Sequence, residues 1–407
     1  MEAAFERLAR KQREVIDNGF AAGNALICGG KSGIIYEKYE GIARPGSGTE
    51  AGPDTVFHLY SMTKVFTAVS ALQLIGREKL DLNARLSEFI PEYSDVRVLE
   101  RGKMRPAEKQ ITVRMLLTMT SGLSYFIDDR SGEAARFADK WRELRANGEH
   151  IDTRAFAGAL AGIPLSFEPG KRFLYGLSHD VLGAVIEQVS GLSLAEYFRA
   201  NIFGPLGMRS TFFYQDLPEE LKPKLADNTA LVDGRYEAIP LLPRPVPIPA
   251  FEGIDDPAMY SGGSGLVGTA RDYGRFLAEM LDPKTGILTH EMLAELTRPQ
   301  LNPAQRRYYN DPAADKSIFG PEFTFGLGVS VQDKAAKSGS AGEWGWSGAL
   351  GTWFFVSPEE GVWFVYMHQH SPANHGQYIK GIRDTFYDII RREPGSGHKQ
   401  EADDDRT

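Results

Sequence analysis

One cysteine among 407 residues, Cys28, excludes an intramolecular disulfide and any cysteine-rich zinc site. A basic block is also missing. The 46 Lys and Arg stand against 54 Asp and Glu, leaving a formal charge of −8 and speaking against a nucleic-acid footprint. No run approaches the roughly 18 apolar residues needed to span a bilayer. At the N-terminus Glu2, Glu6, Arg7, Arg10, Lys11, Arg13, Glu14 and Asp17 leave no apolar core of signal-peptide length. The expectation is a soluble cytoplasmic protein with neither nucleic-acid nor membrane partners. Walker and dinucleotide glycine patterns are absent as well, so no cofactor is expected.

What is present is globular chemistry, with 42% apolar and 25% charged residues, which excludes wholesale disorder. Phe5, Leu8, Gln12, Val15 and Ile16 share one face of an amphipathic helix over 2–19. Two short apolar runs, 25–28 and 34–36, flank a glycine turn and read as a β-hairpin, with Cys28 a small buried hydrophobe. Residues 45–54 read as loop. Helical patterns follow at 65–75, 112–119, 133–161, 178–189 and 193–203. A proline-rich connector at 240–250 and a glycine-rich stretch at 260–268 then change the character of the chain. Beyond them come a helix over 271–281, strands over 325–331, 351–356 and 362–368, and a closing amphipathic helix over 377–391. The Gly-Ser-acidic tail, 393–407, reads as disordered. Strands at both ends with helices between predict an α+β protein. Residues 1–80 and 256–392 would form one lobe around an antiparallel sheet, and 81–255 a mainly helical second lobe, with a pocket between them.

Ser61-Met62-Thr63-Lys64 is the sharpest chemical feature. On a helix, residues three apart lie about 5–6 Å from each other, so the lysine reaches the serine hydroxyl. A serine needs a base to act as nucleophile, and a neutral lysine with its pKa lowered by burial is one. At the first turn of a helix, free N–H groups also face an incoming oxyanion. Tyr175 follows a Pro-Gly turn and precedes a helix that Ser178 could cap. Trp344-Gly345-Trp346-Ser347-Gly348-Ala349 precedes a strand. Its small residues leave room for a second chain, and an exposed edge there offers an N–H to a substrate acyl group.

In that order and spacing, Ser61-x-x-Lys64, Tyr175 and Trp346-Ser347-Gly348 resemble the serine β-lactamase and penicillin-binding-protein superfamily. Within its class C-like branch they are most similar to the family VIII carboxylesterases. Residues 111–123, 202–208 and 261–266 match supporting segments of that family. The resemblance covers about residues 20–390. It implies a β-lactamase/transpeptidase-like fold and no metal. Ser61 would be the acyl-accepting nucleophile, Lys64 and Tyr175 the acid–base pair, and the Ser61 and Ala349 N–H groups the oxyanion hole. Trp346, Ser347, Gly348 and Leu177 would contact substrate.

Three positions depart from the β-lactamase pattern. Trp346 stands where a carboxylate-binding Lys or His is usual, Leu177 where class C enzymes carry Asn, and Met119 where a His is usual. An apolar pair at 346 and 177 cannot hold a buried carboxylate or bond an amide. The expected substrate is therefore a small-molecule neutral ester. Alternatives are acyl transfer to an alcohol on the same site, hydrolysis of β-lactams, D-amino-acid peptides or amides, and a non-catalytic binding homologue. Should a cation be needed, Arg306 or Arg307 is the first suspect. The pattern G-x-S-x-G is absent, which disfavours an α/β-hydrolase. His368 and His370 share a strand face without an acidic third ligand, so a structural role is expected of them. The loops 240–250 and 301–320 are expected to line the mouth. The oligomeric state is not legible.

Overall fold

The computed structural model describes residues 2–100, 102–125, 132–240, 257–311 and 320–392. The readings of a proline-rich connector beyond residue 240, of the mouth loop at 312–319 and of the tail 393–407 lie outside the described residues.

Eight antiparallel strands make the main sheet. In chain order they are β1 (Gly23–Gly30), β2 (Gly33–Arg44) and β3 (Thr49–Glu50), then, late in the chain, β11 (Phe323–Phe325), β12 (Ser330–Gln332), β13 (Trp344–Ser347), β14 (Trp353–Ser357) and β15 (Val362–His368). The spatial order β11-β12-β13-β14-β15-β1-β2-β3 brings the two ends of the chain together at the β15–β1 pair, with Leu26 opposite Tyr366. The stretch 325–331, expected as one strand, is instead the β11–β12 hairpin, because Gly326 to Val329 form its turn.

The alternation of side chains along these strands decides what covers each face. Leu26, Cys28, Trp353, Phe355, Phe364 and Tyr366 meet Phe5, Leu8 and Val15 of α1 (Glu2–Asp17) and Ile382 and Phe386 of the C-terminal helix His375–Arg392. Ala25, Ile27, Phe354, Val356, Val365 and Met367 face the other way, into a larger core with Tyr273, Phe276 and Leu277 of helix Ala270–Leu281. Both faces are thus dry, which is why β1 is buried along its whole length.

Through that larger core runs α2 (Lys64–Gly76), buried from Lys64 to Leu74. A helix that is apolar all round must be covered all round. Its cover comes partly from the middle segment, which holds α3 (Val113–Leu117), α4 (Glu133–Ala146), α5 (Thr153–Leu160) and α6 (Ser178–Ser190). The middle segment also carries strand structure that hydrophobic periodicity did not reveal. The hairpins β5 (Arg97–Glu100)/β6 (Lys103–Pro106) and β8 (Thr229–Val232)/β9 (Arg235–Ala238) are short, and strand β7 (Phe212–Phe213) pairs with β10 (Leu266–Thr269), itself paired with β4 (Val56–His58). Leu117, Phe156 and Phe198 share one core with Phe66, Phe276 and Val365.

The C-terminal helix is clamped to the start of β13 by a buried ion pair. Arg383 Nη2 lies 2.6 Å from Glu343 Oε1, and Tyr387 donates a second hydrogen bond to the same carboxylate. Burial pushes the Glu343 carboxyl up, and the Arg383 charge opposes it. Arg383→Ala, which strands that carboxylate, is expected to lower the unfolding free energy in a urea titration by about 3–5 kcal/mol. A loss below about 1 kcal/mol would show the pair to be dispensable.

Candidate active site

Ser61 sits in a single 3-10 turn, Tyr60–Thr63, that runs directly into α2. The residue before it, Tyr60, is 1% exposed and has φ +45°, a conformation a bulky side chain adopts only when its surroundings enforce it. His58 and Tyr214 do so: the His58 ring stacks on Tyr60 with centroids 5.4 Å apart and lies 5.2 Å from Tyr214.

Lys64 is completely buried, and its three ammonium protons have three acceptors. Nζ donates to Ser61 Oγ at 3.2 Å, to the Tyr125 hydroxyl at 3.1 Å and to the Gly263 carbonyl at 2.7 Å. Its Nζ also lies 4.7 Å from the centre of the Tyr175 ring. Burial alone would push the Lys64 amine down, as its sequence context led one to expect. Tyr125, Tyr175 and the carboxylate of Asp180 outweigh burial and hold it above its ordinary value. The direction of the shift is thus opposite to the expected lowering.

Tyr125 is the residue that motif reasoning missed. It lies two positions past the segment ending Ser121-Gly122-Leu123, and its proximity to Lys64 spans 61 residues of chain. Burial raises its phenol, with the Lys64 charge opposing. Its ring packs edge-on to that of Tyr175, with centroids 5.6 Å apart.

Tyr175 and Trp346 meet directly. The Trp346 indole Nε1–H donates to the Tyr175 hydroxyl at 3.0 Å, and the rings lie 5.2 Å apart. The indole is thus tied to a neighbouring phenol. Behind the pair, Met119, Phe173, Tyr309, Phe323 and Phe325 form a buried, mostly aromatic cluster. Met119 itself has φ +56° and is fully buried, so the position usually held by His is an apolar wall here.

Other expectations need correction. Leu177 is fully buried in the main core, where the start of α6 packs, and presents no surface to a substrate. Ser178 does not cap α6: the residue before the helix is Leu177, and Ser178 Oγ pairs instead with Ser121 Oγ at 2.9 Å. The space at Gly348 is used by the protein itself. A Cβ there would stand 2.1 Å from Thr352 Oγ1 and 2.5 Å from the carbonyl oxygen of Leu59, two residues before Ser61. Arg306 is not a waiting cation, since its guanidinium is paired with Asp333 and reaches the Phe323 carbonyl.

β13 pairs with β12 as far as Gly345, and Trp346 and Ser347 continue the pairing with β14. Ser347 is half-buried and Ala349 exposed. Among the described residues no backbone carbonyl takes the N–H of Ser61 or of Ala349. His368 Nδ1 lies 3.2 Å from the Tyr366 hydroxyl and His370 Nδ1 3.0 Å from Thr229 Oγ1, so the two rings have separate partners. Among the described residues no cluster of three or more His, Cys, Asp or Glu could hold a metal ion, and no helix is long and apolar enough to cross a membrane.

A serine and a buried lysine one turn apart face an aromatic wall, and comparison with known proteins places the fold that carries them. The profile of the Beta-lactamase family matches residues 8–384, and the chain belongs to that family. Esterase EstB of Burkholderia gladioli is 31% identical over 408 residues, covering 95% of this chain and 94% of its own. Lovastatin esterase of Penicillium rubens is 29% identical over 93% of this chain and 96% of its own. The solved structure of EstCE1, described as a hydrolase with promiscuous acyltransferase activity, superposes with a TM-score of 0.78 at 26% identity, over 95% of this chain and 99% of that one. Family, fold and relatives place the protein among the serine hydrolases and acyltransferases of this fold.

Because Gly348 abuts Leu59, Gly348→Ala should displace the 347–351 turn from the Ser61 turn. Misplacement by about 1 Å costs on the order of a hundredfold in turnover. The expected outcome is such a fall in kcat with near-native circular dichroism. Unchanged kcat would mean that this contact does not position the site.

Proposed function

We propose that the protein is a serine carboxylesterase that cleaves neutral esters through an acyl-enzyme on Ser61. The observation that carries this reading is the hydrogen bond between Lys64 Nζ and Ser61 Oγ, set beside an aromatic wall instead of a carboxylate-binding cation. The Ser61 oxygen attacks the ester carbonyl. The N–H groups of Ser61 and Ala349 stabilise the oxyanion that forms. The serine proton passes to the amine of Lys64 once that cluster has lost a proton, and then to the departing alcohol, with Tyr175 as the second member of the acid–base pair. Water attacks the acyl-serine by the same steps in reverse order and releases the acid. Tyr125 accepts a hydrogen bond from the same ammonium, so its phenol and Lys64 lose protons as an interacting pair rather than singly.

The preference for esters over β-lactams follows from charge. A β-lactam carboxylate gains roughly 1.5–3 kcal/mol from charge-assisted hydrogen bonds, or about one to two orders of magnitude in kcat/KM. Trp346 supplies no such charge, its N–H is engaged by Tyr175, and Arg306 is neutralised by Asp333. Transfer of the acyl group to an alcohol is a second reading, favoured by the description of EstCE1. An alcohol would then take the place of water in deacylation.

The test is a panel of p-nitrophenyl esters alongside nitrocefin, with the acylated residue located by mass spectrometry. Ester kcat/KM should exceed that for nitrocefin by at least tenfold, the adduct should sit on Ser61, and Ser61→Ala should retain less than about a hundredth of activity while staying folded. A preference for nitrocefin would replace the esterase reading with amide hydrolysis.

The pH dependence follows from the sign of the Lys64 shift. An amine held above its ordinary value stays charged at neutral pH, and its neutral fraction grows about tenfold per pH unit. Between pH 6 and 8, log kcat/KM should therefore climb with a slope near one. Lys64→Arg keeps the charge but gives up no proton in this range, and should be inactive. A flat profile, or an active Lys64→Arg enzyme, would remove Lys64 from the proton path.

A further inference from the structure

Behind Lys64 lies a buried carboxylate that the reaction scheme does not use. Asp180, in the first turn of α6, is 1% exposed. Its Oδ1 accepts a hydrogen bond from Ser261 Oγ at 2.5 Å and from the Gly263 N–H at 3.2 Å. Both groups that touch Oδ1 donate to it, as they would to a carboxylate oxygen. The other side of the same glycine faces the site, since the Gly263 carbonyl takes the 2.7 Å hydrogen bond from Lys64. The contact is tight: a Cβ at Gly263 would stand 2.4 Å from Asp180 Oδ2. The turn is pinned by α2 and its approach as well, where Thr67 Oγ1 donates to the Gly262 carbonyl at 2.7 Å and Thr63 Oγ1 accepts the Leu266 N–H at 3.2 Å.

We propose that Asp180 is a positioning residue of this site, which aims the Gly263 carbonyl at Lys64 and supplies, through that one glycine, the buried counter-charge of the Lys64 ammonium. The inference rests on Lys64 being the proton carrier of the proposed hydrolase. The titratable groups facing Lys64 are Tyr125 after α3, Tyr175 before α6, and His179 and Asp180 on α6. Burial raises the Tyr125 phenol, so it stays neutral at neutral pH. His179 is fully buried, and its ring is held well below its ordinary value, first by burial and then by Lys64, so it stays neutral. Burial pushes the Asp180 carboxyl up, and Lys64, Ser261 and Gly263 oppose that push. Of the four, Asp180 alone is a carboxylic acid, the class that ionises at the lowest pH. Its charge acts on which protonation state Lys64 holds, whereas its hydrogen bonds act on where Lys64 is held.

The two effects separate experimentally. Asp180→Asn keeps an acceptor for Ser261 and Gly263 but removes the charge. The Lys64 amine is followed by nitrogen-15 NMR titration of the full chain, its signal identified by its loss in Lys64→Arg. In the wild type it should remain protonated beyond the ordinary value of about 10.4. In Asp180→Asn its midpoint should drop by about one to two pH units, the size of a unit charge acting across one peptide group at an effective dielectric of about 20. The acidic limb of kcat/KM for a p-nitrophenyl ester should move down by the same interval. Asp180→Ala, which lacks the acceptor too, should add to that shift a loss of about tenfold or more in kcat at every pH. An unmoved Lys64 midpoint in Asp180→Asn overturns the proposal. So does a wild-type Lys64 that titrates below its ordinary value, a result that needs no folded variant. Failure of the hydrolase reading is seen separately, as the absence of an acyl adduct on Ser61, and leaves the NMR titration to judge Asp180.

Discussion

A lysine ammonium cut off from water must be given three acceptors, and this requirement organises the centre of the protein. Leaving a charge of that kind unpartnered would cost several kcal/mol. Lys64 takes one acceptor from its own helix approach, Ser61, and the other two from Tyr125 and Gly263, which stand 61 and 199 residues away. For these to converge, α2 has to pass through the interior with every side covered. Its composition allows this, because no charged side chain other than Lys64 lies between that residue and Gly76. The turn that supplies Gly263 is fastened in turn by Thr63, Thr67, Ser261 and Asp180. Ser61 is therefore the half-buried tip of a buried polar network rather than a lone group on a surface.

The wall opposite that network is aromatic and uncharged. Tyr175, Trp346 and Phe325 touch ring to ring, with Phe173 and Tyr309 behind them. In such surroundings a polar tip needs a partner, and the Trp346 N–H finds one in the Tyr175 hydroxyl. Two consequences follow from one bond. The phenol oxygen is fixed in place beside Lys64, and the position that carries a cation in related enzymes contributes a neutral donor that is already engaged. Apolar acyl groups suit a wall of this kind better than charged ones do.

The main sheet supplies the rigidity on which these distances depend. Its two faces bury separate sets of side chains, one against α1 and the C-terminal helix and one against the core that surrounds α2. Strand β13 extends beyond its neighbour β12 just where Trp346 and Ser347 lie, and the next turn rests on the Leu59 carbonyl through Gly348. The backbone next to Ala349, the proposed oxyanion donor, is thereby referenced to the serine turn by backbone contact rather than by a flexible side chain.

Much of this was legible in the residues. The three-residue interval between Ser61 and Lys64, the placement of Tyr175 and the motif around Trp346 picked out residues that the fold brings together, and period-two and period-3.6 patterns marked strand β15 and helix α6 to within a residue. Local sequence decides such things because spacing along one strand or one helix is set by backbone geometry. Elsewhere periodicity failed: hairpins of four-residue strands, such as Arg97–Pro106, are too short to show a period. Tyr125 carried no motif of its own, since what distinguishes it is a contact made across 61 residues. Leu177, Gly348 and Arg306 looked available for a substrate, but packing placed them in the core, against Leu59 and against Asp333. The direction of the Lys64 shift was likewise a tertiary outcome. Burial of a lysine argues one way, and only the folded arrangement brings Asp180 and two phenols close enough to reverse it. The sequence by itself determined which groups could react. The tertiary structure decided which of them meet and what charge they hold, because both depend on distances between residues remote in the chain.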